Sequence, residues 1–469
     1  MFPTLQLSIH TVYFPLATNN DTMTAFQSRE AFIPYSRQEI IELCLADGKI
    51  AIAEQQDFRD FCNILIAYYH FKLHRSLEDL KSNFIPFNPD IEDYNTVDPL
   101  NNFSNIDQKE ADLVATFQEV LEQANYYPLS QSDLTRALDQ DSVFDLKTEV
   151  DFDDFDRIVC YCRGDTLTTI KVKKWFFKEV EKQVNIYRRV ALLIKFKEEQ
   201  HFKNKPVKDE ELNFKPGKVY LYLYKNLSKF DIEFIFPNVK MSMNWKDRLL
   251  FGLPAIGAAI PIILKVLPQI VLITGVVIYL TLGHQPIDRL QVQEEQVRNV
   301  TPLLIAALSL MVTLGGFAFK QYTSYKNKQV KFQKKVTETL FYRNIANNTG
   351  VFKYLIDVAE EEECKEVMLA YYHLLISSTS LTSSELDNRI ETWMKSKFGT
   401  VIDFDIDNPL RNLAEIKAKI EQREGNSYAT KQVAILKRDS RNLYHVLPLN
   451  EAKQVIDCIW DNLFRYFSQ

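Results

Sequence analysis

Residues 249–283 read LLFGLPAIGAAIPIILKVLPQIVLITGVVIYLTLG, and after a polar interval residues 302–319 read PLLIAALSLMVTLGGFAF. A helix crossing ~30 Å of hydrocarbon needs ~20 mainly apolar residues, with ~17 as the lower bound. Val266–Gly283 and Pro302–Phe319 both meet that bound, and neither contains a charged residue. They predict an α+β membrane protein whose membrane unit, residues 241–319, holds a two-span transmembrane hairpin. One straight helix over 249–283 would be about 50 Å long, too long for one crossing. Pro254, Pro261 and Pro268 each remove a helical N–H. Residues 245–264 therefore read as a bent interfacial or re-entrant helix, with Lys265 near the boundary. A third short span is the alternative.

The flanks set an orientation. Lys240, Lys246 and Arg248 precede the unit, and Lys320, Lys326, Lys328, Lys331, Lys334 and Lys335 follow it. Cationic flanks favour the cytoplasmic face, so two crossings would leave both soluble parts on one side. Ala306, Ser309, Thr313 and Gly316 fall on one face of the second span. Small residues let backbones approach closely, and this face reads as a homo-oligomer seam or as packing against the first span.

Composition bounds the rest. At 469 residues the chain has room for two or three domains, and a net charge of −6 implies no general attraction to nucleic acid. Cys44, Cys62, Cys160, Cys162, Cys364 and Cys458 make no spaced disulfide or zinc framework, which suits a reducing compartment. Residues 1–25 contain no Lys or Arg and read as a disordered extension without a targeting pattern, with Met1 and Met23 as candidate starts.

Residues 26–165 read as a helical N-terminal domain. Ser36 to about Asp47, Gln55–Ser82, Lys109–Gln123 and Gln131–Asp139 have helical periodicity, and Phe58, Phe61, Cys62, Leu65, Ile66, Tyr69 and Leu73 mark a broad apolar face. Residues 166–240 form a small β region. Asn185–Phe196 and Lys218–Lys225 alternate as strands do and predict a small antiparallel sheet.

Several stretches resemble a known family. They are REAFIPYSRQEIIELCL (Arg29–Leu45), AYYHFKLHRSLEDLKSNFIPFNPD (Ala67–Asp90), VDFDDFDRIVCYCRGD (Val150–Asp165), IYRRVALLIKFKE (Ile186–Glu198), DIEFIFPN (Asp231–Asn238) and DRLLFGLPAI (Asp247–Ile256). Together they are similar to the transmembrane protein 143-like family of uncharacterised membrane proteins, a domain of unknown function, over roughly Phe26–Phe467. The resemblance implies a multi-pass, two-span protein of bacterial, cyanobacterial, plastid or mitochondrial membranes, here placed in a bacterial or cyanobacterial inner or thylakoid membrane. It brings no activity with it.

Beyond a basic linker or helix at 320–350, residues 351–469 read as a winged-helix-like C-terminal domain. Val351–Ser377 is a long helix, Thr382–Glu385 is a capping box opening a second over Leu386–Phe398, and Asp407 caps a third running to about Gln422. A hairpin, Lys431–Leu436 with Asn442–Leu447, and a closing helix, Glu451–Phe467, complete the order. Arg411, Lys417 and Lys419 on the third helix are offset by Asp407, Glu415 and Glu421, too few clustered cations for phosphate contacts, so nucleic acid is not the expected partner. A protein partner at this domain is.

His70, His74 and Glu78 project from one helical face and are the candidate metal ligands, for zinc. Phe71 stands where an HExxH glutamate would be, which removes a protease mechanism. The plain alternative is hydrogen-bonded packing histidines. Cys160 and Cys162 read as two buried thiols on one strand face. Asp151, Asp153, Asp154 and Asp156 form an acidic cluster, and Asp403, Asp405 and Asp407 open like a calcium loop but lack its glycine and closing glutamate. Tyr161, Arg163 and Gly164 read as a structural turn. With no catalytic residues and no cofactor assigned, the expected function is a non-enzymatic membrane-anchored scaffold or adaptor. The alternatives are an oligomeric channel or transporter component and a metal-dependent membrane enzyme.

Overall fold

The computed structural model describes residues 31–91, 105–129, 147–174, 178–203, 205, 214–242, 300–399, 401–424 and 427–466. The chain begins with α1 (Arg37–Ala46), α2 (Gln55–Phe84) and α3 (Ile106–Gln123), followed by the short strands β1 (Tyr127–Pro128) and β2 (Lys147–Glu149). Two long strands, β3 (Phe155–Lys174) and β4 (Lys178–Phe196), lead through α4 (Glu199–Lys203) to β5 (Val219–Ser228) and β6 (Lys240–Ser242). Then come α5 (Val300–Arg343), β7 (Asn344–Asn347), α6 (Thr349–Leu375), α7 (Ser383–Phe398) and α8 (Asp407–Glu415). The strands β8 (Lys417–Glu424), β9 (Ser427–Ala434), β10 (Leu436–Arg438) and β11 (Tyr444–Val446) precede the last helix, α9 (Leu449–Tyr466).

These elements fall into two units. The first comprises Met1–Ala137, Phe152–Ile232 and Arg343–Gln469; the second comprises Leu138–Asp151 and Glu233–Tyr342.

In the first unit a five-stranded sheet runs in the order β1-β3-β4-β5-β7, with every pairing antiparallel. Alternation puts Val159, Tyr161, Ala191, Leu193, Leu221 and Leu223 into one core with α3 and the first half of α6. Cys160 and Cys162 are two residues apart on β3 and both are buried, as the period of two requires. Burial pushes the Cys160 thiol up to about 12 and raises the Cys162 thiol well above its ordinary range.

The helix α6 organises this unit. Its first half, including Val351, Phe352, Leu355 and Ile356, belongs to the sheet-side core. Its second half, including Cys364, Val367, Met368 and Tyr371, belongs to another core built with α1, α7, α8 and α9. Helix α2 runs through both as well: Phe58 to Tyr69 lie in the second core and Leu73 to Phe84 in the first. Residues from the two ends of the sequence therefore share a core, with Phe61 stacked on Tyr371 at 4.1 Å between ring centroids.

The C-terminal stretch departs from the expected three helices and one hairpin. Helix α8 stops at Glu415, where Ile416 turns to extended backbone, and residues expected to continue it form β8. Ala418 and Ile420 alternate with Lys417, Lys419 and Glu421, a period of two that outweighs the helix propensity of Lys, Ala and Glu. Strand β9 takes Lys431–Ala434, and the expected hairpin shortens to β10 and β11, whose β11 residue Tyr444 bridges to Leu381. At α7 the structure has the Thr382–Glu385 capping box, with Thr382 Oγ1 accepting from Glu385 N.

Gly164 lies inside β3 rather than in a turn. Its φ is +77°, and an added Cβ would lie 2.7 Å from Arg188 Cβ. Gly164→Ala is expected to destabilise the fold by about 1–3 kcal/mol, the range for a forced left-handed residue. A thermal midpoint equal to wild type would contradict that. Next to it the buried Arg163 guanidinium lies 3.9 Å above the Phe32 ring and 4.9 Å from the Tyr126 ring, so the Arg163–Asp165 tripeptide is structural.

In the second unit β2 pairs antiparallel with β6, and Asn238 Nδ2 donates to Asp151 O at 2.7 Å. Helix α5 runs 44 residues, and its buried Phe332 packs on Phe234 at 6.1 Å. Leu308, Val312, Phe319, Tyr322 and Val330 on α5 are exposed.

Among the described residues no helix is long and apolar enough to cross a membrane. This corrects the two-span hairpin, the multi-pass assignment, the bacterial inner or thylakoid membrane location and the orientation derived from them. What stands instead is a set of helices with a five-stranded antiparallel sheet. The apolar run 302–319 is not a helix of its own. It is the opening of α5, which continues through the cationic residues 320–335, so the helix as a whole is mixed rather than apolar. The other expected span, 266–283, and the helix at 245–264 lie outside the described residues, as does the extension 1–25. On the proposed oligomer seam, Gly316 is exposed and a Cβ there would meet nothing within 4 Å; the side chains of Ala306, Ser309 and Thr313 are outside the description.

Candidate functional site

Between the two cores of the first unit lies a belt of buried charge on α6, in the run AEEEECKE from Ala359 to Glu366. Buried carboxylates must be paired or hydrogen-bonded, and each here meets donors from elsewhere in the chain. Glu362 accepts from Ile33 N at 3.0 Å and pairs with Lys365 Nζ at 2.7 Å, while that ammonium also donates to Ile33 O at 2.6 Å. Glu360 pairs with Arg37 at 2.7 Å, and Glu361 with the same guanidinium at 2.6 Å. Glu366 accepts from Asn125 at 2.7 Å and Asn408 at 3.3 Å, and Glu363 from Asn408 at 2.9 Å and from Asn412. Burial raises the carboxyl pKa of both Glu363 and Glu366, and neighbouring carboxylates raise Glu366 further. Three separate segments, residues 33–37, Asn125 and residues 408–412, are thus fastened to one helix.

The expected metal ligands do not converge. His70 Nδ1 lies 2.8 Å from Glu360, which ties it to the belt. His74 Nε2 stands 3.9 Å from Glu78, and Glu78 pairs with Lys81 at 2.6 Å. The two imidazole rings stack at 6.1 Å, and both side chains are mostly in solvent. Among the described residues no group of three or more His, Cys, Asp or Glu is placed to hold a metal ion. The acidic clusters are likewise engaged: Asp153 pairs with Lys197 at 2.7 Å, Asp154 with Lys205 at 2.5 Å, and Asp405 accepts from Asp407 N at 3.2 Å.

On the other side of α2 the second core opens into a cavity of about 390 Å³. Helix α2 contributes Tyr68, Phe71, Lys72 and Arg75, spaced i, i+3, i+4 and i+7 on one face. Strand β8 brings Lys417, Ala418 and Lys419, with Gln432 opposite Lys419 on β9, and α9 brings Cys458 and Ile459. Four cations face a single carboxylate, Glu415, which lies 3.6 Å from Lys72. Of the six cysteines only Cys458 is not buried; its thiol lies 3.5 Å from Lys419 O.

The sequence held half of this. The α2 face follows from helical spacing; Lys417 and Lys419, expected on a helix, stand on β8, and the alternation of residues 417–421 is the signal for that strand.

The fold defines an α+β protein, with helices and a five-stranded antiparallel sheet among the described residues. Within it, residues 187–350 match a family described as protein of unknown function (DUF3754), so the chain contains such a domain. That match runs from β4 through α5 to the start of α6, and the cavity lies outside it. No solved structure matches the chain.

Proposed function

We propose that this chain is a non-enzymatic binding protein, of the scaffold or adaptor kind, that receives a ligand in the cavity between α2, β8, β9 and α9. One observation carries the reading: a cavity of about 390 Å³, lined by Tyr68, Phe71, Ala418 and Ile459 together with four cations and one carboxylate. Small-molecule sites occupy about 300–1,000 Å³ and combine apolar walls with a few polar groups that fix orientation. The belt on α6 supports the reading from behind, because it holds α2 and the C-terminal elements in one core and so keeps the walls in register. A relation to the transmembrane protein 143-like family belongs to the same proposal, on the stretches quoted above, and adds no activity.

Native mass spectrometry of the full chain tests it. The chain is expected to carry a small anionic adduct that is lost in Gln432→Trp, where an indole from an exposed lining residue fills the space. An adduct-free wild type, or an adduct retained by the variant, would contradict the proposal.

A further inference from the structure

We infer that the ligand is an amphipathic anion, a hydrocarbon chain ending in a phosphate or carboxylate group; this rests on the cavity being a ligand site. The two halves of the lining ask for the two halves of such a molecule. Tyr68, Phe71, Ala418 and Ile459 offer carbon, to which the methylene stems of the lysines add more. Lys72, Arg75, Lys417 and Lys419 offer positive charge on the same cavity. Arg75 supplies the forked donor set that suits phosphate and carboxylate oxygens. Lys417 and Lys419 are exposed, whereas Ala418 between them is buried, so on this strand charge lies outward and carbon inward.

Other ligand classes fit less well. A nucleotide would stack its base and seek donors and acceptors for the base edge, and the lining offers one amide for that, Gln432, beside the Tyr68 hydroxyl and the Cys458 thiol. Nucleic acid needs cations spread along a track. A fully apolar ligand would set carbon against the cationic part of the lining. An amphiphile with an anionic head satisfies carbon and charge together.

Cys458 reports occupancy directly, because it lines the cavity while the other five thiols are buried. The full chain is titrated with octyl phosphate, octanoate, inorganic phosphate, octyl glucoside and adenosine monophosphate, and the rate at which a maleimide modifies Cys458 is followed. Octyl phosphate and octanoate are expected to slow modification at least tenfold at saturation. Going from hexyl to octyl phosphate should tighten binding about fourfold per methylene, or ~0.8 kcal/mol each. Lys417→Gln combined with Lys419→Gln, both exposed positions, should weaken the apparent affinity about tenfold, the size expected for losing charge-assisted contacts. Protection is read for each protein against its own unliganded labelling rate, since cations beside a thiol set its reactivity.

Equal protection by inorganic phosphate and octyl phosphate would replace the amphiphile with a simple anion and overturn the inference, leaving the cavity a ligand site. Equal protection by octyl glucoside, or stronger protection by adenosine monophosphate, would overturn it in the same way. Protection by none of the five would remove the cavity itself as a binding site, and the proposed function with it.

Discussion

Lys365→Ala is expected to lower the stability of the first unit by about 3–5 kcal/mol, the cost of leaving one partner of a buried ion pair without the other. The Lys365 and Glu362 side chains are 1% and 0% exposed, 2.7 Å apart. Removing the ammonium leaves the Glu362 carboxylate in the core with Ile33 N and Asn125 as its remaining donors, and strips Ile33 O of its partner. The double variant Lys365→Met, Glu362→Met removes both charges and should recover a large part of the loss, because matched apolar replacements of a buried pair are often near neutral. Urea unfolding followed by circular dichroism measures both, with a lowered midpoint and an unchanged slope as the signature. A single variant within about 1 kcal/mol of wild type would mean that the belt is not buried as described.

The second large effect concerns pH. His373 on α6 is 1% exposed, and neither ring nitrogen has a hydrogen-bond partner among the described residues. Its ring sits edge-on to Tyr372 at 5.0 Å and to Trp393 at 5.4 Å. Burial, and then the nearby Arg389 and Lys49 charges against Asp47, bring its pKa down to about 3. Between the unfolded value near 6.5 and about 3, the unfolded chain binds the proton and the folded chain does not. Stability is therefore fully present above pH 6.5 and is lost as pH falls, at up to ~1.4 kcal/mol per pH unit.

Glu363 and Glu366 act in the opposite sense. Their folded pKa values are raised, so their contribution is present at low pH and is lost as pH rises through those values. Measuring unfolding free energy in urea from pH 4 to 7 separates the two. His373→Phe should flatten the acid side, making the variant more resistant to acid than wild type by about 2 kcal/mol over two pH units. Glu366→Gln should leave the acid side and flatten the fall at higher pH. Parallel curves for His373→Phe and wild type would show that the imidazole is protonated in the folded state.

How much of this was readable beforehand depended on how local the signal was. The apolar spacing of Phe58, Phe61, Leu65 and Tyr69 places them in the core on α2, and the pair Thr382 and Glu385 opens α7, because spacing within one turn decides both. Cys160 and Cys162 share a buried strand face for the same reason. The belt was not readable. A run such as Glu360–Glu363 ordinarily marks a solvated helix face, and here it is buried because donors arrive from far away. Ile33 is 329 residues from Glu362, and Asn125 is 241 from Glu366. The signal available in the sequence was the apolar residues on both sides of the run, Val351, Phe352, Leu355 and Ile356 before it and Val367–Ala370 after it.

The membrane reading went astray through the opposite kind of reasoning. A hydropathy window weighs residues 302–319 alone, whereas α5 is one helix from Val300 to Arg343 whose later turns carry Lys320, Lys326, Lys331 and Lys334. The candidate metal ligands show the limit of spacing as well. Spacing puts His70, His74 and Glu78 on one face, but it cannot show that Glu360 and Lys81 reach two of them first.

The account depends on the walls of the cavity, drawn from both ends of the sequence, belonging to one cooperative core around α6. Amide hydrogen exchange on the full chain, read by mass spectrometry, tests that most directly. The expected result is that the slowest amides of α2, α6 and α9 open together at one free energy, and that Lys365→Ala speeds all three by the same factor. If α9 and the β8–β9 hairpin exchanged on their own, untouched by a substitution that accelerates α2, the two ends would not share a core and the cavity would have no fixed walls.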